Sequence, residues 1–257
     1  MNLFEMMGLV STVAMALPII AMLISQLAWY RSFPAIFFYY LLILSYTASL
    51  LGYIGGSEGY RYYLGVLCNF LDTPLILLFL LYFSKTIYYW KKLMAAAIAF
   101  VAFELVVIGI YGFNTTATTI VLAPGLIITL VISLLFFIHQ VKISVVYHKA
   151  VGKAVMISSV LFAYVGYCFV YVVYYLMKPV YKEEREDAHI VYFLITIVSA
   201  SAMAVGVYLE KSRVKQLVEL KTTREELKAI YREEREGNKM TTPGEAAIIN
   251  FDNKQWS

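Results

Sequence analysis

The chain has 257 residues, 61% of them hydrophobic and only 15% charged, with a formal charge of +4 and a mean hydropathy of +0.72. So much apolar surface exceeds what a soluble core of this length buries, which excludes an ordinary soluble domain and makes the lipid bilayer the expected partner. The basic residues stand in short clusters between apolar runs and form no single basic face, so nucleic acid is excluded as a partner.

Seven apolar runs are each long enough to cross about 30 Å of hydrocarbon. The first, 7–30, follows MNLFE, which carries one acid and no base; it lacks the basic start of a signal peptide and is expected to be retained as a helix. It brings Ser25 and Gln26 as polar company, and the second run, 33–54, adds Ser45, Thr47 and Ser49, small hydroxyls of the kind that pack helices together.

The third run, 62–83, holds Cys68, Asn69, Asp72 and Thr73 ahead of Pro74, and the fourth, 93–113, holds Glu104. Between Met6 and Lys182 the only carboxylates are Glu58, Asp72 and Glu104. A charged carboxyl at mid-bilayer costs roughly 2.5–3.5 kcal/mol, so the latter two need a reason. At ~1.5 Å per residue, Asp72 lies about 16 Å and Glu104 about 12 Å from the outer ends of their runs, in one layer. Two carboxyls close together in low dielectric do not both ionise comfortably. Two readings fit: a proton or ion relay, or a ligand anchor, with Asn69 and Thr73 alongside; and a structural role, with Asp72 hydrogen-bonded to Thr73 or a tyrosine and Glu104 to a facing helix.

The fifth run, 118–139, contains Pro124-Gly125, and the sixth, 151–177, carries Tyr164, Tyr167, Tyr171 and Tyr174, some on one face that lines a pocket or packs. The seventh, 189–209, contains Thr196 and Ala200, which join Tyr164 and Tyr167 as expected pocket lining. His139, His148 and His189 are divided between the two membrane sides, so no metal site is expected. Cys68 and Cys168 read as buried small hydrophobes. With no Gly-rich phosphate loop and no GxSxG elbow, no catalytic residue, no cofactor and no enzyme activity are assigned.

Lys and Arg alternate along the connections. Placing the first, third and fifth connections and the start of the tail inside puts Arg31, Lys85, Lys91, Lys92, Lys142, Lys149, Lys153, Lys211, Arg213 and Lys215 in the cytosol, which gives an outer N-terminus and a cytosolic C-terminus. KPVYKEERED, after the sixth run, is then an exposed outer loop. The expected fold is all-α: a seven-transmembrane-helix bundle over 1–209, a charged cytosolic helix over 210–237 and a flexible tail over 238–257. Leu217, Leu220, Leu227 and Tyr231 recur at three- and four-residue spacing, a weak coiled-coil or partner-docking stripe with Arg224 interrupting it, suited to a cytosolic protein partner or a homo-oligomer. The expected location is the bacterial inner (plasma) membrane.

RYYLGVLCNFLDTPLILLFLLYF, with Asp72-Thr73-Pro74 at its centre, resembles the third helix of the microbial rhodopsins, and SYTASLLGY is similar to the end of their second. FAYVGY resembles their aromatic pocket segment, and HIVYFLITIVSASAMAVGVYL their seventh helix. The resemblance implies the seven-helix fold and pairs Thr73 with Glu104. It also implies what is missing: Thr196 and Ala200 stand where that family carries an Asp and the retinal-binding Lys, and Cys68 stands where it carries a proton-accepting Asp. Covalent retinal binding and light-driven pumping are therefore excluded. The function expected is a membrane sensor or interaction protein; the alternatives are an ion or proton transporter using Asp72 and Glu104, and an intramembrane lipid-modifying enzyme.

Overall fold

The computed structural model describes residues 3–55, 57–84, 87–147, 151–173 and 182–238. The described residues form seven α-helices joined by turns, with no strand among them: α1 (Leu3–Ile24), α2 (Phe33–Leu50), α3 (Glu58–Leu80, closed by a 3-10 turn at Leu81–Phe83), α4 (Ile87–Tyr111), α5 (Thr115–Tyr147), α6 (Val151–Tyr171) and α7 (Lys182–Asn238). Each contains a stretch long and apolar enough to cross a membrane, with mean hydropathy between 1.6 and 2.7. Apolar side chains project outward as well as inward: Ile24, Ile98, Leu105, Ile110, Ile127, Leu135 and Phe169 are all exposed, as suits helices whose outer faces meet lipid. The chain is a multi-pass membrane protein by this architecture.

Two compact units divide between Lys211 and Ser212. In the first, α3 is central, packing against α2, α4 and α5, while α1 packs on α2 and α5 on α6. Small residues let backbones approach. A Cβ on Gly152 of α6 would lie 2.7 Å from the Glu210 nitrogen and 2.9 Å from the Gly206 oxygen of α7, and a Cβ on Gly125 of α5 would collide with the Thr73 hydroxyl of α3. The Ser159 hydroxyl donates to the Ser199 carbonyl at 2.6 Å, continuing the α6–α7 seam. In the second unit, α7 is helical to Asn238; Lys215 and Glu219 stand 4.0 Å apart, and Leu217, Leu220, Leu227 and Tyr231 are exposed.

Several element ends differ from the sequence expectation, each for a local reason. α1 stops at Ile24 instead of reaching Tyr30, because Gln26 adopts φ 57° and the Gln26 and Leu27 amides bond back to the Leu23 and Met22 carbonyls at 3.1 and 3.0 Å. This pattern closes a helix in the left-handed conformation, here without glycine. Gln26 is therefore exposed in a turn and is not polar company within the bundle. α2 closes in the same way around Gly52 (φ 80°). α5 runs to Tyr147, past His139, since HQVKISVV has no helix breaker, so Lys142 is helical. Lys153 lies in the first turn of α6, and Lys91 and Lys92 in the second turn of α4. α7 begins at Lys182, so most of the expected outer loop is helix. Lys85, His148, Lys149, Tyr174 and the tail after Asn238 lie outside the described residues.

Between α4 and α5 the connection is only Gly112–Asn114. Gly112 takes φ 76° to end α4, and the Asn114 side chain accepts from the Ala117 amide at 2.9 Å to start α5.

Candidate functional site

Asp72 stands 14 residues into α3, about 21 Å from its first residue, and so in the interior of the span. Its Oδ2 accepts a hydrogen bond of 2.7 Å from the hydroxyl of Tyr164 on α6, and Tyr39 of α2 lines the same cavity. A half-buried carboxyl within an apolar span is stabilised by such a donor. Tyr164 is itself 1% exposed and sits edge-to-face on Tyr167, one turn further along α6, with ring centroids 5.9 Å apart.

Asp72 also lines a cavity of about 210 Å³. Its wall comes from α2, α3, α5, α6 and α7, from Leu50, Gly65, Tyr171 and His189 near one end of those helices down to Tyr39 and Asp72 in the middle. Tyr167 and Tyr192 form one side of it, stacked at 5.6 Å with their planes 27° apart, and Tyr167 approaches the Thr196 hydroxyl at 3.5 Å. Asn69 is on the wall too, its amide nitrogen donating to the Gly65 carbonyl at 3.0 Å. A smaller cavity of about 20 Å³ lies behind, lined by Tyr164, Tyr167 and Thr196 among others.

The residues singled out from sequence thus separate. Asp72, Asn69 and Tyr167 share the larger cavity; Tyr164 and Thr196 support it from behind. Ala200 is fully buried and lines neither space. Thr73, next to Asp72, is buried and turned to Gly125 of α5, where Phe100 of α4 also converges. Glu104 is 5% exposed and its Oε1 has no hydrogen-bond partner among the described residues, so neither Asp72 nor Thr73 is bonded to it. The two carboxyls form no hydrogen-bonded pair; Asp72 is engaged toward Tyr164 of α6. Both cysteines are free thiols.

A second polar group lies at the opposite end of the helices. Glu210, 1% exposed on α7, accepts at Oε1 from the Tyr82 hydroxyl at 2.6 Å. The Lys153 ammonium donates to the Tyr82 carbonyl at 3.3 Å and lies 4.1 Å from the centre of the Tyr82 ring. Sequence reasoning missed this group by assigning Lys153 and Glu210 to segments beyond the bundle. It also missed Tyr39, Tyr46 and Tyr192 as cavity wall; the signal available was the count of 22 tyrosines, which marks no position. Compared with family models, curated proteins and solved structures, the chain matches none.

Proposed function

We propose that this chain is a membrane sensor: a seven-helix bundle that takes a small ligand into the cavity above Asp72 and passes its occupancy along α7 to residues 212–238, where a cytosolic protein docks. The observation that carries this reading is that α7 supplies His189, Tyr192 and Phe193 to the cavity wall and is one helix from Lys182 to Asn238. A wall element that is also the output element needs no further relay. The reading involves no retinal chromophore, since Ala200 stands where the sequence resemblance to rhodopsins would place a Schiff-base lysine. The basic connections support an outer N-terminus and a cytosolic output helix in a bacterial inner membrane. The exposed stripe of Leu217, Leu220, Leu227 and Tyr231 is the proposed docking face, for a partner protein or a second copy.

The test is site-specific photocrosslinking of the full chain at Leu220 and Leu227 in the cells that make it. One discrete adduct, lost when Leu217 and Leu227 are changed to Glu, is expected; no discrete adduct from either site would count against the reading. Transport through Asp72 and Glu104 is a second reading, favoured by the unpartnered Glu104 oxygen. Proton or cation flux into proteoliposomes that Asp72→Asn and Glu104→Gln leave unchanged would remove it.

A further inference from the structure

We propose that the cavity above Asp72 binds a small organic ammonium ion, with the Asp72 carboxylate as counter-charge and the surrounding tyrosine rings as a cage; this rests on the sensor reading only in taking the cavity as its input site. Three features of the wall point to that chemistry.

The first is charge. No lysine or arginine lines the cavity among the described residues, and apart from thiol and phenol groups its only titratable side chains are Asp72 and His189. The hydrogen-bond donor on Asp72 is the Tyr164 phenol, which holds the carboxyl in place without supplying a positive charge. A carboxylate has room for about four acceptor contacts, so one phenol leaves capacity for an incoming N–H or N–CH₃ group.

The second is the wall itself. Five tyrosines, Tyr39, Tyr46, Tyr167, Tyr171 and Tyr192, line it together with Phe193. Aromatic faces attract alkylated ammonium ions, whereas dehydrated Na⁺ or Ca²⁺ asks for a shell of six or so oxygens that one carboxylate does not provide. A neutral apolar guest would leave the carboxylate buried without a counter-charge.

The third is size. At roughly 30 Å³ per water, the cavity's 210 Å³ holds the volume of about seven waters, below the ~300 Å³ of sites for drug-sized ligands. A trimethylammonium head with a short arm is of a size to fit it. That head group occurs both in free amines and on choline lipids, and the shared chemistry is what the wall recognises.

The experiment uses the full chain in nanodiscs of phosphatidylglycerol, titrated calorimetrically with tetramethylammonium, with choline, and with 3,3-dimethyl-1-butanol, the uncharged carbon isostere of choline. Binding of at least one cation is expected, with the isostere weaker by about tenfold or more. Asp72→Asn should weaken the cation by about thirtyfold or more. Tyr192→Leu, which leaves the carboxyl and its phenol donor in place, should weaken it by about fivefold while the isostere is unaffected. Doping the discs with phosphatidylcholine assigns the source: competition with choline identifies the lipid head group, and its absence identifies the free amine. Equal affinity for choline and its isostere, undiminished choline binding by Asp72→Asn in a folded variant, or no binding of either cation up to about 10 mM would overturn the proposal. Cation binding without the crosslinked adduct would retain this site and remove the sensor reading; the adduct without cation binding would do the reverse.

Discussion

Tyr164→Phe removes one hydroxyl and nothing else from the bundle, and that hydroxyl donates to Asp72 at 2.7 Å. The variant should lose about 1 kcal/mol of stability, the usual size of an interhelical hydrogen bond in a membrane, measured as unfolding in mixed micelles. Tyr167→Phe, whose hydroxyl lies a long 3.5 Å from Thr196, should lose less than about half as much. Equal losses would mean that the Asp72 bond contributes nothing special. Asp72 and Tyr164 each stand out in the sequence, one as a rare intramembrane acid and the other within a tyrosine run, but their pairing does not. They are 92 positions apart, and only the fold of the bundle brings them together. Tyr39, Tyr46 and Tyr192 are illegible for a different reason: a tyrosine that walls a cavity and one that packs or sits at the membrane surface have the same local sequence pattern.

Helix existence follows from span length and hydropathy, and all seven apolar runs are helices. Helix ends depend on backbone hydrogen bonding that composition does not display. Gln26, with no glycine to announce it, closes α1 in a left-handed turn, whereas Gly52 does the same for α2 with the expected residue. The α6–α7 seam gives a prediction at this scale. A side chain at position 152 meets the backbone of Glu210 and Gly206, which cannot rotate away, so Gly152→Leu should destabilise the bundle by more than about 2 kcal/mol. At Gly65 the obstacle is the ring of Tyr46, which can turn, so Gly65→Ala should lose under about 1 kcal/mol. Thermal unfolding of the two variants in the same detergent distinguishes them, and a reversed order would show that α6 and α7 separate at little cost.

The orientation proposed from the basic residues is directly testable. With Cys68 and Cys168 replaced by Ala, a single cysteine at Ser57 should react with a membrane-impermeant maleimide in intact cells, and one at Ser32 only after permeabilisation. The opposite pattern would reverse every assignment of side, including that of the output helix. The Gly112–Asn114 turn bears on how such a molecule is assembled. From residue 105 to residue 141 the chain carries no Asp, Glu, Lys or Arg, and its one tight reversal is closed by a glycine and capped by an asparagine. Asn114→Ala should therefore lose about 1 kcal/mol of α5 stability, read by hydrogen exchange at the Ala117 amide. During synthesis, a hairpin of this kind can enter the bilayer as a ready-made pair, its turn crossing with none of the roughly 2.5–3.5 kcal/mol that each charged residue would add at the centre. The segment that follows Glu104 and delivers Gly125 to the interior is thus free of that cost.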